Sequence, residues 1–165
     1  MLVGCGCCAR GAGALLREEG WSVRGTSRSE AGREAIAAAG LEAVEADPDR
    51  VGSVVELLGD VTVLGWLLGD LENAEAVATL NGPRLGSLLE KVVDTPVRGF
   101  VFEAPAGGAG RELVEDAVSR WHLPAEIVTV SRSEPTVSPV GTSTYRTSYW
   151  LSATTTVRAS RQPSR

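Results

Sequence analysis

Six short apolar runs alternate with helix-forming segments across residues 1 to 130, and few folds accommodate that rhythm. MLVG opens the chain as a strand, and ALLREEG (14–20) is helical, stopped at Gly20. WSVRGT (21–26) reads as a second strand, SEAGREAIAAAG (29–40) as a helix ended by Gly40, and LEAVEAD (41–47) as a third strand. DPDRVGSVVELLGD (47–60) reads as a third helix. VTVLGWLL (61–68) is a nearly continuous apolar run, the pattern of a strand buried on both faces. Residues 72 to 94 are helical but broken at Asn81-Gly82-Pro83, which predicts two pieces. VRGFVFEA (97–104), GRELVEDAVSRWH (110–122) and AEIVTV (125–130) add a strand, a helix and a strand. Strands and helices that alternate at this spacing predict an α/β fold: a doubly wound parallel sheet with right-handed crossovers, in three α/β/α layers.

After residue 130 the rhythm stops. Ser and Thr fill 15 of the last 35 positions, with Pro135, Pro139 and Pro163 among them. That composition predicts a weakly ordered tail over residues 131–165, the alternative being one strand between Tyr145 and Val157. The net charge of −5 divides unevenly: five arginines against Glu134 make the tail +4, so residues 1–130 carry −9. An acidic body argues against a nucleic-acid partner, since phosphate neutralisation needs a basic face. No apolar run approaches the ~20 residues of a membrane span, and the N-terminus lacks a secretory pattern, so a cytoplasmic location is expected. A chain of 165 residues suits one domain, here residues 1–130.

Between the first strand and first helix stands Gly4-Cys5-Gly6-Cys7-Cys8-Ala9, a match to G-x-G-x-x-A in the context that the dinucleotide fingerprint requires. Gly4 allows a tight turn, Gly6 lets backbone approach a pyrophosphate, and Ala9 keeps the helix close to the sheet. Cys7 and Cys8 occupy variable positions beside the anion. As a metal centre the stretch falls short of four ligands, because only three cysteines exist and the sole histidine, His122, lies far along the chain. Free thiols open to oxidation are the expectation. At the end of the second strand an acid would mark NAD, but the residues are Thr26, Ser27 and Arg28. A hydroxyl and a guanidinium suit a 2′-phosphate, so NADP is expected before NAD. The competing local reading makes Ser27 and Glu30 a capping box for the second helix. Asp47, followed by Pro48, reads equally as an N-cap with an N1 proline or as a side chain meeting the adenine edge.

With GCGCCA, GTSR, ADPDR and VTVLGWLLG in place, residues 1 to about 130 resemble the NAD-dependent epimerase/dehydratase group of the short-chain dehydrogenase/reductase superfamily, especially its atypical members. The resemblance implies a Rossmann-like fold and a nicotinamide cofactor, and leaves the substrate open. It also implies a Tyr-x-x-x-Lys acid/base pair, which is missing: Ser87 stands four residues before Lys91, and Tyr145-Arg-Thr-Ser-Tyr149 ends in tyrosine. Tyr145 with Arg146 is a remote substitute. Glu103, at the end of the fifth strand, is either an acid/base or a solvated strand-end glutamate. The first strand has three residues before the turn, against a usual five or six. Three functions stay open: an NADP-dependent oxidoreductase or epimerase-like enzyme with a non-standard acid/base, a non-catalytic NADP(H) sensor, and a Rossmann remnant that binds partners through its tail.

Overall fold

A computed structural model describes residues 1–129 of the chain. β1 (Leu2–Val3) leads through the glycine turn into α1 (Cys7–Glu18). β2 (Arg24–Ser27), α2 (Glu30–Ala38) and β3 (Glu42–Glu45) follow. Gly20 and Gly40 end the two helices with φ of +87° and +77°, left-handed values that glycine adopts without a Cβ clash. α3 (Val51–Val55) precedes β4 (Val63–Trp66). α4 (Ala74–Thr79) is capped by Asn73, whose Oδ1 accepts from the Glu75 and Ala76 amides. A wide turn, Leu80–Arg84, joins it to α5 (Leu85–Val92). The break falls where expected: Gly82 is non-helical (φ −112°, ψ −105°), and Pro83 has no N–H to give. β5 (Gly99–Ala104), α6 (Arg111–Trp121) and β6 (Ala125–Thr129) complete the series.

The six strands form one sheet in the order β3-β2-β1-β4-β5-β6, and every neighbouring pair is parallel. This is the Rossmann-like doubly wound order, in which the chain reverses direction across the sheet between β1 and β4. Alternation along each strand divides the core. Leu2 and Val101 face α1 and α2, where they pack with Ala9, Ala12, Leu16 and Ile36. Val3, Phe100 and Phe102 face the other layer, built on Val54, Leu85, Leu88, Val92 and Val114. VTVLGWLL behaves as its composition requires: Leu64 and Trp66 are fully buried at the centre of the sheet. No helix among the described residues is long and apolar enough to cross a membrane.

Three local expectations need correction. α1 begins at Cys7, well ahead of the helical stretch that the apolar pattern marks, because its first two turns hold only small residues and Arg10 and so show no large apolar period. The third helix shrinks to five residues, since Gly52 and the β-branched Val54 and Val55 propagate helix poorly. The cap of α2 is Ser29, which accepts from the Gly32 amide at 3.1 Å. Ser27 instead ends β2 and accepts from the Ser29 amide at 3.3 Å, so the Ser27–Glu30 capping box does not form. The tail call on residues 131–165, with Tyr145 and Arg146, lies outside the described residues.

Candidate functional site

Gly4 turns the chain at the top of β1 with φ of +80°, and its carbonyl accepts from the Gly6 amide at 2.7 Å. A Cβ on Gly4 would lie 2.5 Å from the Leu67 carbonyl and 2.6 Å from Leu68 Cδ2, so both conformation and space demand glycine. Gly6 differs. It is the N-cap of α1 in extended conformation (φ −69°, ψ −172°), and a Cβ there would meet only the Gly4 carbonyl, 4.0 Å away. Its open side faces a cavity, so glycine is not required by the packing of the chain.

The first helical hydrogen bond of α1 runs from the Arg10 amide to the Gly6 carbonyl at 2.9 Å. Helix geometry therefore leaves the amides of Cys7, Cys8 and Ala9 directed outward at the positive end of the dipole, and no acid stands in that first turn. A helix start of this kind suits an anion. Cys7 and Cys8 are exposed, whereas Cys5 turns into the core, where burial pushes its thiol up to about 11. The three sulfurs thus point to different surroundings, and no group of three His, Cys, Asp or Glu side chains gathers as a metal site among the described residues.

Gly4, Gly6, Cys7, Cys8 and Ala9 line one cavity of about 250 Å³, together with Leu67, Asp70, Leu71 and Glu103 from the ends of β4 and β5. An adjoining cavity of about 270 Å³ shares Asp70 and Leu71 and extends to Glu72, Pro105 and Ala106. The two form a cleft along the C-terminal ends of the strands. Glu103 is 8% exposed and accepts from the Gly69 amide at 3.3 Å, which corrects the solvated strand-end reading. Asn81 is fully buried and donates from Nδ2 to the Leu68 and Val77 carbonyls, 3.0 Å each. It replaces helical bonding lost at the Gly82-Pro83 break and ties down the loop after β4.

Thr26, Ser27, Arg28 and Asp47 do not line this cavity; they stand at the ends of β2 and just beyond β3. Thr26 is buried, Ser27 half-buried and Arg28 exposed, with no side-chain hydrogen bond from Arg28 among the described residues. Asp47 is not an N-cap. Its Oδ1 accepts from the Asp49 amide at 3.1 Å in a local turn, and α3 starts beyond Pro48 with Arg50 as its N-cap. Lys91 donates to Ser87 Oγ at 3.2 Å across one turn of α5, a surface contact within the helix. Sequence reading missed Leu67, Asp70, Leu71 and Asn81. The rule that ligands gather where parallel strands end would have pointed to the first three.

No protein-family description matches the chain, and no curated protein matches it. Solved structures do. A short-chain dehydrogenase/reductase superfamily protein from Agrobacterium tumefaciens, with bound NAD, superposes with a TM-score of 0.62 at 19% identity, over 76% of this chain and 47% of that one. UDP-glucuronic acid 4-epimerase from Bacillus cereus, in complex with NAD, gives 0.60 at 15% identity over 76% and 53%. Triphenylmethane reductase from Citrobacter sp., complexed with NADP(H), gives 0.57 at 12% identity over 76% and 47%. The fold is Rossmann-like. At these identities the likeness is one of fold, in agreement with the resemblance read from the sequence, and the chain spans roughly half the length of each neighbour.

Proposed function

We propose that residues 1–130 form an NAD(P)-binding domain that holds a nicotinamide dinucleotide, NADP before NAD, and descends from epimerase/dehydratase-type oxidoreductases without their Tyr-x-x-x-Lys pair. The observation that carries this is the open glycine turn at the point where the strand order reverses, with Gly6 bare of neighbours and the first turn of α1 lining the same cavity. Neighbours of the same fold are complexed with NAD or NADP(H), which supports the choice of ligand.

Gly4, Gly6, Cys7, Cys8 and Ala9 hold the pyrophosphate through backbone amides, and Thr26, Ser27 and Arg28 receive the adenosine ribose and its 2′-phosphate. Asp47 borders the adenine. A bound nicotinamide dinucleotide supplies hydride transfer. The chain's own part is to bind and orient it, and to handle a proton if one moves. Both tyrosines lie outside the described residues. Within them the carboxylates on the cavity lining are Glu103 and Asp70, and Glu103 is our candidate acid/base. An enzyme that uses Glu103 and a non-catalytic NADP(H) binder are both compatible with this placement; the missing pair favours the binder.

Fluorescence titration with NADPH and NADH tests the proposal, followed by a turnover screen with Glu103→Gln alongside. Arg28→Ala is expected to weaken NADPH at least about tenfold while sparing NADH, as loss of a charge-assisted contact does. Equal weakening returns Arg28 to the surface of a capped helix. Failure of both dinucleotides to bind defeats the whole reading and leaves the partner-binding remnant.

A further inference from the structure

Beside Arg28, at the same corner of the sheet, stands a second guanidinium. Ser27 and Glu45 are Cα partners in the β2–β3 ladder, so their side chains leave the same face. That face is the one α2 covers: Ser27 packs against Gly32, and Arg33, the next residue of the helix, reaches Glu45. Arg33 Nη1 lies 3.3 Å from Glu45 Oε2 and donates to the Arg28 carbonyl at 3.4 Å. One nitrogen thus touches both the backbone of Arg28 and the carboxylate that ends β3. Two arginines are joined here by a single hydrogen bond, one presented just after β2 and the other by α2.

The Arg33–Glu45 pair is built to exchange. The Glu45 side chain is 73% exposed, and the one Arg33 nitrogen is shared between two acceptors, so the pair gains little over its hydrated partners. Both contacts are longer than the roughly 2.7–2.9 Å of a good charge-assisted bond. A guanidinium carries five N–H donors in a planar fork, and a phosphate takes two of them in parallel. An anion bearing more charge than a carboxylate, placed over Arg28, therefore draws Arg33 away from Glu45.

We propose that Arg33 is a second specificity-determining residue, donating to the 2′-phosphate of NADP beside Arg28, and that Glu45 competes for its guanidinium when no phosphate is bound. At the dinucleotide site proposed above, on which this rests, NADP meets two guanidiniums at the point where NAD presents a hydroxyl. The rest of the two cofactors is the same, so the ratio of their affinities isolates this corner.

Calorimetric titration of the full chain with NADPH and with NADH tests it, using the parent, Arg33→Ala, Glu45→Gln and the double variant. Arg33→Ala is expected to weaken NADPH at least about tenfold and NADH less than about twofold. Glu45→Gln should tighten NADPH about threefold, leave NADH unchanged, and lose that gain in the Arg33→Ala background. A residue that merely braced α2 would weaken both cofactors alike. NADPH affinity untouched by Arg33→Ala, equal weakening of the two cofactors, or a Glu45→Gln gain that survives without Arg33 overturns the proposal and leaves the dinucleotide site standing. A parent chain that binds neither dinucleotide overturns both.

Discussion

Gly4 and Gly6 sit two residues apart in one motif, yet the structure asks different things of them. Gly4 has a left-handed backbone and a carbonyl in the way of any Cβ. Gly4→Ala should cost on the order of 2–3 kcal/mol, read as a lowered denaturation midpoint. Gly6→Val meets open space, so it should melt near the parent and lose at least about tenfold in dinucleotide affinity. A Gly6→Val protein that binds like the parent would remove the pyrophosphate from this turn. The Met1 amine gives a pH dependence of definite sign. Its folded pKa is lowered to about 6 from 8.0, so between those values the unfolded chain holds the extra proton. Stability of the chain beginning at Met1 should then rise from pH 6 to pH 8, by on the order of 2 kcal/mol, and be flat in that window once the amine is acylated.

Helix ends separate motif from mechanism at the scale of elements. The spacing of Ser27 and Glu30 has the form of a capping box, but Ser27 is held in β2, paired opposite Glu45 in the β2–β3 ladder, and cannot start a helix. Ser29 is the first residue free of the ladder, and it takes the cap. Ser29→Ala should cost about 1 kcal/mol, visible in thermal melts, while Ser27→Ala should cost less and act on NADPH affinity. The loop after β4 is held from two directions, by Asn81 through the Leu68 carbonyl and by Glu103 through the Gly69 amide. A Cβ on Gly69 would lie 2.5 Å from the Glu103 carbonyl, so this loop passes as close to β5 as the glycine turn passes to β4. Elements that come this near one another fix the shape of the cleft without lining all of it.

For the whole molecule, the described residues place six paired strands in one sheet with helices on both faces. Deleting residues after Ser133 is accordingly expected to leave NADPH affinity unchanged in titration. A truncated protein that folds but no longer binds would make the last part of the chain the functional end. The fold class was legible because apolar runs of strand length, separated by helix-length segments, leave a parallel sheet as the arrangement that buries every run. The glycine turn was legible for a local reason: a fingerprint of backbone needs is written in consecutive residues. Glu103, Asp70 and Asn81 were not legible as neighbours, since they come from the end of β5, the loop after β4 and a helix break. Nor was Ser29 as the cap. Local sequence states what a residue can do, but the strand ladder decides which residue is released to do it. Sequence alone therefore determined the layers and the glycine turn, through periodicity and backbone chemistry. The walls of the cleft and the burial of Glu103 came from tertiary structure only, because each depends on distances between segments that no local pattern encodes.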